Sequence, residues 1–158
     1  MPDKSDLRFL LFVCMGNICR SPMAEAIAID AARRDNFDIR IASAGMSALE
    51  GHEATELARA ALGGIGLSID EHRARQLTRE LVAEAALVVT ATTRQRVDLH
   101  HFFKDESSKI VSFDDVTGLG DLTDPYGEGP EAFTKTVSLL QSGMPAILSA
   151  LRERTRGV

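Results

Sequence analysis

The sequence predicts an α/β domain: a doubly wound, four-stranded parallel sheet with strand order 2-1-3-4 and helices on both faces. Two observations point to this fold class. Short runs of β-forming apolar residues alternate with segments of helical periodicity along the whole chain. These runs are nearly continuous, as expected for strands buried on both faces of a parallel sheet. The 158 residues suffice for one domain, residues 1–158, but are too few for two.

Each element has its own local signal. The strands are predicted at residues 7–13, 39–43, 86–90 and 109–113. The helices are predicted at residues 21–34, 55–62, 78–85, 94–103 and from 130 onwards. Ser21 and Pro22 suit the N-cap and first position of the first helix, and Thr78 caps the third. Residues 114–129 form a long polar loop, and Pro145 predicts a kink in the last helix.

Charge and composition narrow the classes of function. The 18 basic and 23 acidic residues give a net charge of −5, which argues against a nucleic-acid partner. The sequence has no apolar run as long as a membrane span, and residues 1–6, an expected flexible extension, lack the layout of a signal peptide. Two cysteines, five positions apart, favour a reduced cytoplasmic protein over a disulfide framework. We expect a monomer.

The segment from Cys14 to Ser21 follows the first strand, at the sheet edge where this fold class binds ligands. Its backbone N–H groups can form an anion nest, and Gly16 and Asn17 tolerate the left-handed conformations that a nest needs. Arg20 can hold two oxygens of a phosphate, and the positive surroundings favour the reactive thiolate of Cys14. Ser21 can donate a hydrogen bond to that sulfur. Taken singly, these are ordinary strand-end and helix residues; the full string favours an anion site.

This string, Cys-x-Gly-Asn-x-Cys-Arg-Ser-Pro, resembles the phosphate loop of the low-molecular-weight protein tyrosine phosphatases. The resemblance covers most of the chain and includes residues 23–25, 43–45, 72–77 and 124–126. It implies a cysteinyl-phosphate mechanism on phosphoproteins that needs neither a metal nor a cofactor, with inorganic phosphate as product. Cys14 is then the nucleophile, Arg20 the transition-state clamp and Asp124 the general acid.

The same resemblance assigns supporting roles. Asn17 holds the conformation of the loop, with Ser43 and His72 as supports, although His72 alone would be read as an ordinary histidine. The remaining residues of the loop contact the phosphate or the substrate; they are Met15, Gly16, Ile18, Cys19 and Ser21. Cys19 is either a small buried residue or the partner of a reversible disulfide that shields Cys14 from over-oxidation.

A general acid is needed because an alkoxide or phenoxide leaves poorly unless it is protonated. Asp124 is the expected acid, and its alternative reading is a turn residue before Pro125. Asp121, three residues earlier, is the competing carboxyl, while Asp114 and Asp115 are weaker candidates.

The substrate follows from the expected walls of the pocket. Ile18 and Tyr126 match the apolar pattern of tyrosine phosphatases, whereas Leu49 lies where an aromatic wall is usual and Gly127 replaces a frequent second tyrosine. Residues 121–127 are similar to the protein arginine phosphatase branch, which typically has Thr where this chain has Ile18. A branched apolar side chain favours an aromatic phosphoester, so phosphotyrosine leads and phosphoarginine is the alternative.

Three other classes of protein are disfavoured. An arsenate reductase needs further resolving cysteines, and a non-catalytic phosphate-binding module would have lost Cys14 or Asp124. A dinucleotide-binding domain would carry Gly-x-Gly-x-x-Gly after its first strand, which this sequence lacks.

Overall fold

The computed structural model of the protein describes residues 7–157, so the extension expected at residues 1–6 lies outside the described part. The described strands are β1 (Phe9–Cys14), β2 (Arg40–Gly45), β3 (Leu87–Thr90) and β4 (Ile110–Ser112). The described α-helices are α1 (Arg20–Arg34), α2 (Glu56–Gly63), α3 (Arg79–Glu84), α4 (Thr93–Phe102), α5 (Phe113–Thr117) and α6 (Pro130–Arg154). A 3₁₀ helix spans Lys104–Lys109 between α4 and β4.

The strands form one parallel sheet in the order β2-β1-β3-β4, which confirms the predicted order. All six residues of β1 are buried, since this strand lies between β2 and β3 and is covered on both faces. Its last residue, Cys14, is paired with Gly45 at the end of β2. Because parallel strands end at the same edge of the sheet, the loop after β1 lies beside the loop after β2.

Helices cover both faces of the sheet. Alternate residues of β1 point to opposite faces, so this strand contributes to two cores. Leu10 and Phe12 belong to a core with residues of α1, α2 and α6, which include Met23, Leu62 and Leu140. The opposite core joins Phe9, Leu11 and Val13 to Val82 of α3 and Leu99 of α4. Burying one such side chain stabilises the fold by roughly 1.5–3 kcal/mol, so the two cores hold β1 rigidly in the centre. Between residues 7 and 157, no helix has the length and apolarity of a membrane span.

The structure corrects two predicted boundaries. The helix α1 begins at Arg20, and its N-cap is Cys19 rather than Ser21, whose hydroxyl is engaged by Cys14 and Asn17. The first residues of the predicted loop 114–129 belong to α5, which begins with a reciprocal capping box between Ser112 and Asp115. The predicted cap of α3 is confirmed, since Thr78 Oγ1 accepts a hydrogen bond from the Leu81 N–H at 3.2 Å.

Candidate active site

The loop between β1 and α1 has every backbone carbonyl from residue 14 to residue 19 in a hydrogen bond of 2.7–3.2 Å. The donors are, in order, the N–H groups of Met46, Ser47 and Leu49, the His72 imidazole, and the N–H groups of Thr55 and Met23. Since C=O and N–H point to opposite sides of a trans peptide, the N–H groups of the loop face its concave side. Within residues 7–157, the N–H groups of residues 15–20 have no hydrogen-bond acceptor. This is the arrangement of an anion-binding nest.

The buried side chain of Asn17 holds the loop in this shape. Its Nδ2 donates to Ser21 Oγ at 2.8 Å and to Ser43 Oγ at 3.0 Å, and its Oδ1 accepts from the Arg75 N–H at 2.9 Å. The backbone of Asn17 has a φ of 59°, as the sequence predicts. Gly16, which also tolerates a left-handed conformation, does not adopt one here. One left-handed residue is therefore enough to turn this loop.

His72 supports the loop from outside. Its Nε2 lies 2.7 Å from the carbonyl oxygen of Asn17. A carbonyl can only accept, so Nε2 carries the proton and donates it. The sequence-based pairing of His72 and Ser43 with Asn17 thus corresponds to direct hydrogen bonds in the structure.

The thiol of Cys14 lies 2.9 Å from Ser21 Oγ. That oxygen already accepts a hydrogen bond from Asn17, which leaves its own hydroxyl proton free to be donated to the sulfur. The hydrogen bond therefore runs from the Ser21 hydroxyl to the buried Cys14 sulfur, beside the anion nest.

Arg20 connects the anion nest to the loop that carries Asp124. Its Nη1 donates to the Leu122 carbonyl at 2.9 Å, and its Nη2 lies 3.9 Å from Asp124 Oδ2. The Arg20 side chain is only 7% exposed, whereas that of Asp124 is 58% exposed. The guanidinium is thus fixed in place, and its Nε and Nη2 edge remains for an anion, while the carboxyl is accessible to a substrate.

The three other candidate acids have different partners. Asp121 Oδ1 accepts two hydrogen bonds from Thr93, and Asp114 Oδ1 accepts one from the Gly120 N–H. Burial raises the pKa of Asp115, but hydrogen bonds from Ser112 and Arg96 outweigh it, so this pKa lies below its ordinary value. The geometry therefore favours Asp124.

The nucleophile, clamp and acid candidates line one cavity of about 350 Å³. Cys14, Arg20 and Asp124 share it with the predicted loop residues Met15, Gly16, Ile18 and Cys19 and with the predicted wall residues Leu49 and Tyr126. Tyr126 is 66% exposed and stands at the mouth. Sequence reasoning did not single out Ser47, which also lines the cavity. In the described chain, no group of three His, Cys, Asp or Glu residues could hold a metal ion.

The loop of residues 46–51, which carries Ser47 and Leu49, is held by Gln76. The side-chain amide of Gln76 donates to the Met46 carbonyl at 2.8 Å and accepts from the Ala48 N–H at 2.9 Å. Sequence reasoning gave Gln76 no role, although it lies in the matching segment 72–77.

Cys19 lies beside Thr55, with 3.5 Å between Sγ and Oγ1. Burial raises the pKa of its thiol from 9.0 to about 11, although the hydrogen bond with Thr55 opposes the shift. Both cysteines are free thiols in this structure. The protective disulfide between Cys14 and Cys19 stays a prediction.

Comparison with known proteins finds a matching family model and relatives of similar length. A family model described as low molecular weight phosphotyrosine protein phosphatase matches residues 9–156. A probable low molecular weight protein-tyrosine-phosphatase EpsP from Ralstonia nicotianae is 32% identical over 146 residues, which are 92% of this chain and 97% of the relative. A protein-arginine-phosphatase from Bacillus subtilis is also 32% identical, over 93% of this chain and 99% of the relative.

The fold is also similar to that of solved structures. The low molecular weight protein tyrosine phosphatase from T. tengcongensis superposes with a TM-score of 0.85 at 34% identity, over 90% of this chain and 98% of that one. A mutant of YwlE from Bacillus subtilis gives a TM-score of 0.85 at 31% identity, over 91% and 98% of the two chains.

Proposed function

Because the chain belongs to the low molecular weight protein-tyrosine-phosphatase family, whose members are cysteine-dependent and metal-independent, we propose that it hydrolyses phosphotyrosine in proteins through a covalent phosphocysteine at Cys14. The observation that carries the proposal is the convergence of Cys14, Arg20 and Asp124 on one cavity, at the concave side of a loop whose carbonyls are all bound elsewhere. The two free thiols fit a cytoplasmic, reducing compartment.

The first step transfers the phosphoryl group to the enzyme. The Cys14 thiolate attacks phosphorus, and the bond between phosphorus and the tyrosine oxygen breaks. Asp124 gives its proton to the departing phenolate oxygen. The backbone N–H groups of the loop and the free edge of Arg20 bind the phosphoryl oxygens, on which charge develops in the transition state.

The second step regenerates the enzyme. A water molecule attacks phosphorus, the ionised Asp124 takes a proton from it, and the bond between phosphorus and sulfur breaks. Ser21 donates a hydrogen bond to the sulfur, which stabilises it as the leaving thiolate. Inorganic phosphate is the product, and no metal or cofactor takes part.

The walls of the cavity support phosphotyrosine as the substrate. Ile18, Leu49 and Tyr126 line it with apolar surface above the anion nest, which suits a phenyl ring. Among described residues, Asp124 contributes the only carboxylate to the lining, so a phosphoguanidinium would meet little opposite charge there.

Phosphoarginine is the second candidate substrate, because a protein-arginine-phosphatase is 32% identical to the chain over nearly its whole length. The two candidates share the thiolate mechanism and differ in the wall next to the leaving group. A hydroxyl at position 18 would help to position water against a phosphoramidate, whereas Ile18 is apolar.

The test compares kcat/KM on phosphotyrosine and phosphoarginine peptides of one sequence with a single enzyme preparation. We expect phosphotyrosine to be preferred, and Ile18→Thr to shift the ratio toward phosphoarginine by about tenfold, the effect of one misplaced group in a pocket. Ile29→Thr is the matched control, since Ile29 is half-buried on α1 and lines a different depression. A parent enzyme that prefers phosphoarginine would refute the tyrosine assignment and leave the thiolate mechanism standing.

A further inference from the structure

The segment that carries Asp124 has no regular secondary structure. Residues 118–129 connect α5 to α6 without a helix or strand. Four glycines with φ between 69° and 87° occupy its two ends; they are Gly118, Gly120, Gly127 and Gly129. Glycines with positive φ allow sharp turns but hold nothing in place by side-chain contacts. The position of Asp124 must therefore be set by other attachments.

Those attachments are concentrated at Asp121 and Leu122. Asp121 Oδ1 accepts hydrogen bonds from the Thr93 N–H at 2.9 Å and from Thr93 Oγ1 at 3.0 Å. The Leu122 N–H donates to the Ala91 carbonyl at 3.0 Å, and its carbonyl accepts from Arg20. In the described chain, residues 123–128 make no hydrogen bond outside their own stretch. Beside the buried Leu122 side chain and the Arg20 guanidinium, which lies 3.9 Å from Asp124, Asp121 is thus the side chain that holds this segment by hydrogen bonds just before the acid.

The anchor point is the first turn of α4. Thr93 is the first residue of this ten-residue helix. The first N–H groups of a helix have no acceptor within it, and its positive end favours a carboxylate. Asp121 satisfies one of these donors and also the Thr93 hydroxyl, so the attachment is directional.

We propose that Asp121 is a positioning residue for the reaction: it fixes the loop to α4 so that the Asp124 carboxyl lies over Cys14. The inference rests on the proposed function, with Asp124 as the general acid. Proton transfer needs heavy atoms within about 3 Å, and a misplacement of about 1 Å can cost on the order of 10²-fold in rate. Losing two hydrogen bonds three residues before the acid allows such a displacement.

The geometry allows a sharp pair of variants. Both hydrogen bonds end on the same oxygen, Oδ1. Asp121→Asn keeps an oxygen there and removes the charge, while Asp121→Ala removes both. Glu128→Ala is the matched control, because Glu128 is a carboxylate of the same segment whose side chain makes no hydrogen bond to residues 7–157.

The experiment measures kcat/KM on aryl phosphates with leaving groups of increasing basicity. We expect Asp121→Ala to lose about tenfold or more on phenyl phosphate but less than about threefold on 4-nitrophenyl phosphate, whose leaving group needs little protonation. Asp121→Asn and Glu128→Ala should stay within about twofold of the parent on both, since general acid catalysis depends on position. Inhibition by inorganic phosphate should be unchanged in these variants. A general loss of structure would weaken that inhibition.

Two results would overturn the inference: an Asp121→Ala enzyme whose losses are equal on both esters, or an Asp121→Asn enzyme as impaired as the alanine variant. Asp124→Asn is measured alongside. If Asp124→Asn itself shows no dependence on the leaving group, the acid assignment in the proposed function fails instead. Should Asp121→Ala not fold, Thr93→Val removes one of the two hydrogen bonds, and a smaller loss in the same direction is expected.

Discussion

At Cys14, reactivity depends on groups that neighbouring residues supply. Ser21 and Asn17 form a chain of hydrogen bonds that ends on the sulfur, and Asn17 at the same time fixes the backbone of the loop. These residues are close in sequence, which is why the string from residue 14 to residue 21 predicts the anion site. Arg75 lies 58 residues from Asn17, and no local pattern predicts the bond between them.

Arg20 combines two tasks that a lysine cannot perform together. One guanidinium nitrogen donates to the Leu122 carbonyl, and the Nε and Nη2 edge, 3.9 Å from Asp124, is the proposed contact for two phosphoryl oxygens. Arg20→Lys keeps the charge but has no planar pair of donors, so we expect kcat to fall on the order of 10²-fold or more, as for the loss of a preorganised donor.

Steady-state kinetics on 4-nitrophenyl phosphate measures this loss. Arg33→Lys is the control, because Arg33 is exposed on α1 and far along the helix from the loop. An Arg20→Lys enzyme with near-parent kcat would contradict the clamp role.

At the scale of elements, the strands and long helices could be predicted because each carries its own apolar pattern. The short helix α5 could not, since its five residues begin with a capping box formed by Asp115, which the sequence presents as part of an acidic loop. The sequence predicts the N-cap of α1 two residues late, because Ser21, a good N-cap by type, is hydrogen-bonded to Cys14 and Asn17 instead.

The loop after β2 is a second element whose position depends on residues outside the loop. Gly45 allows it to approach the anion loop, since a Cβ there would lie 2.7 Å from the Met15 carbonyl oxygen. Gln76 then holds residues 46–48 with both ends of its amide. This attachment therefore also sets the positions of the wall residues Ser47 and Leu49.

We therefore expect Gln76→Ala to weaken the attachment of the cavity wall without affecting the chemical step. We expect KM for a phosphotyrosine peptide to rise about fivefold or more, since the two lost hydrogen bonds are worth about 0.5–1.5 kcal/mol each, with kcat within about twofold. Inhibition by inorganic phosphate, which binds below the wall, serves as the internal control. A fall in kcat with KM unchanged would show that Gln76 acts on the chemical step instead.

At the scale of the whole molecule, the sheet order brings the site together. The central strand β1 leads into the loop of Cys14, the proposed nucleophile. That loop is supported by β2 and the segment 72–77, and the start of α4 binds the segment that carries Asp124, the proposed acid. The alternation of strands and helices predicts a parallel sheet, so the meeting of the loops after its strands at one edge is predictable. Which side chains bond across the edge is not, because those contacts depend on packing between distant segments.

The central claim is that Cys14 carries the phosphoryl group during turnover. The most direct measurement is acid quenching of the enzyme during hydrolysis of a phosphotyrosine peptide, followed by mass spectrometry of its cysteine-containing peptides. We predict a phosphate adduct on the sulfur of Cys14, absent from Cys14→Ser, which should have no turnover. Unimpaired turnover in Cys14→Ser, or an adduct located only on Cys19, would contradict this account.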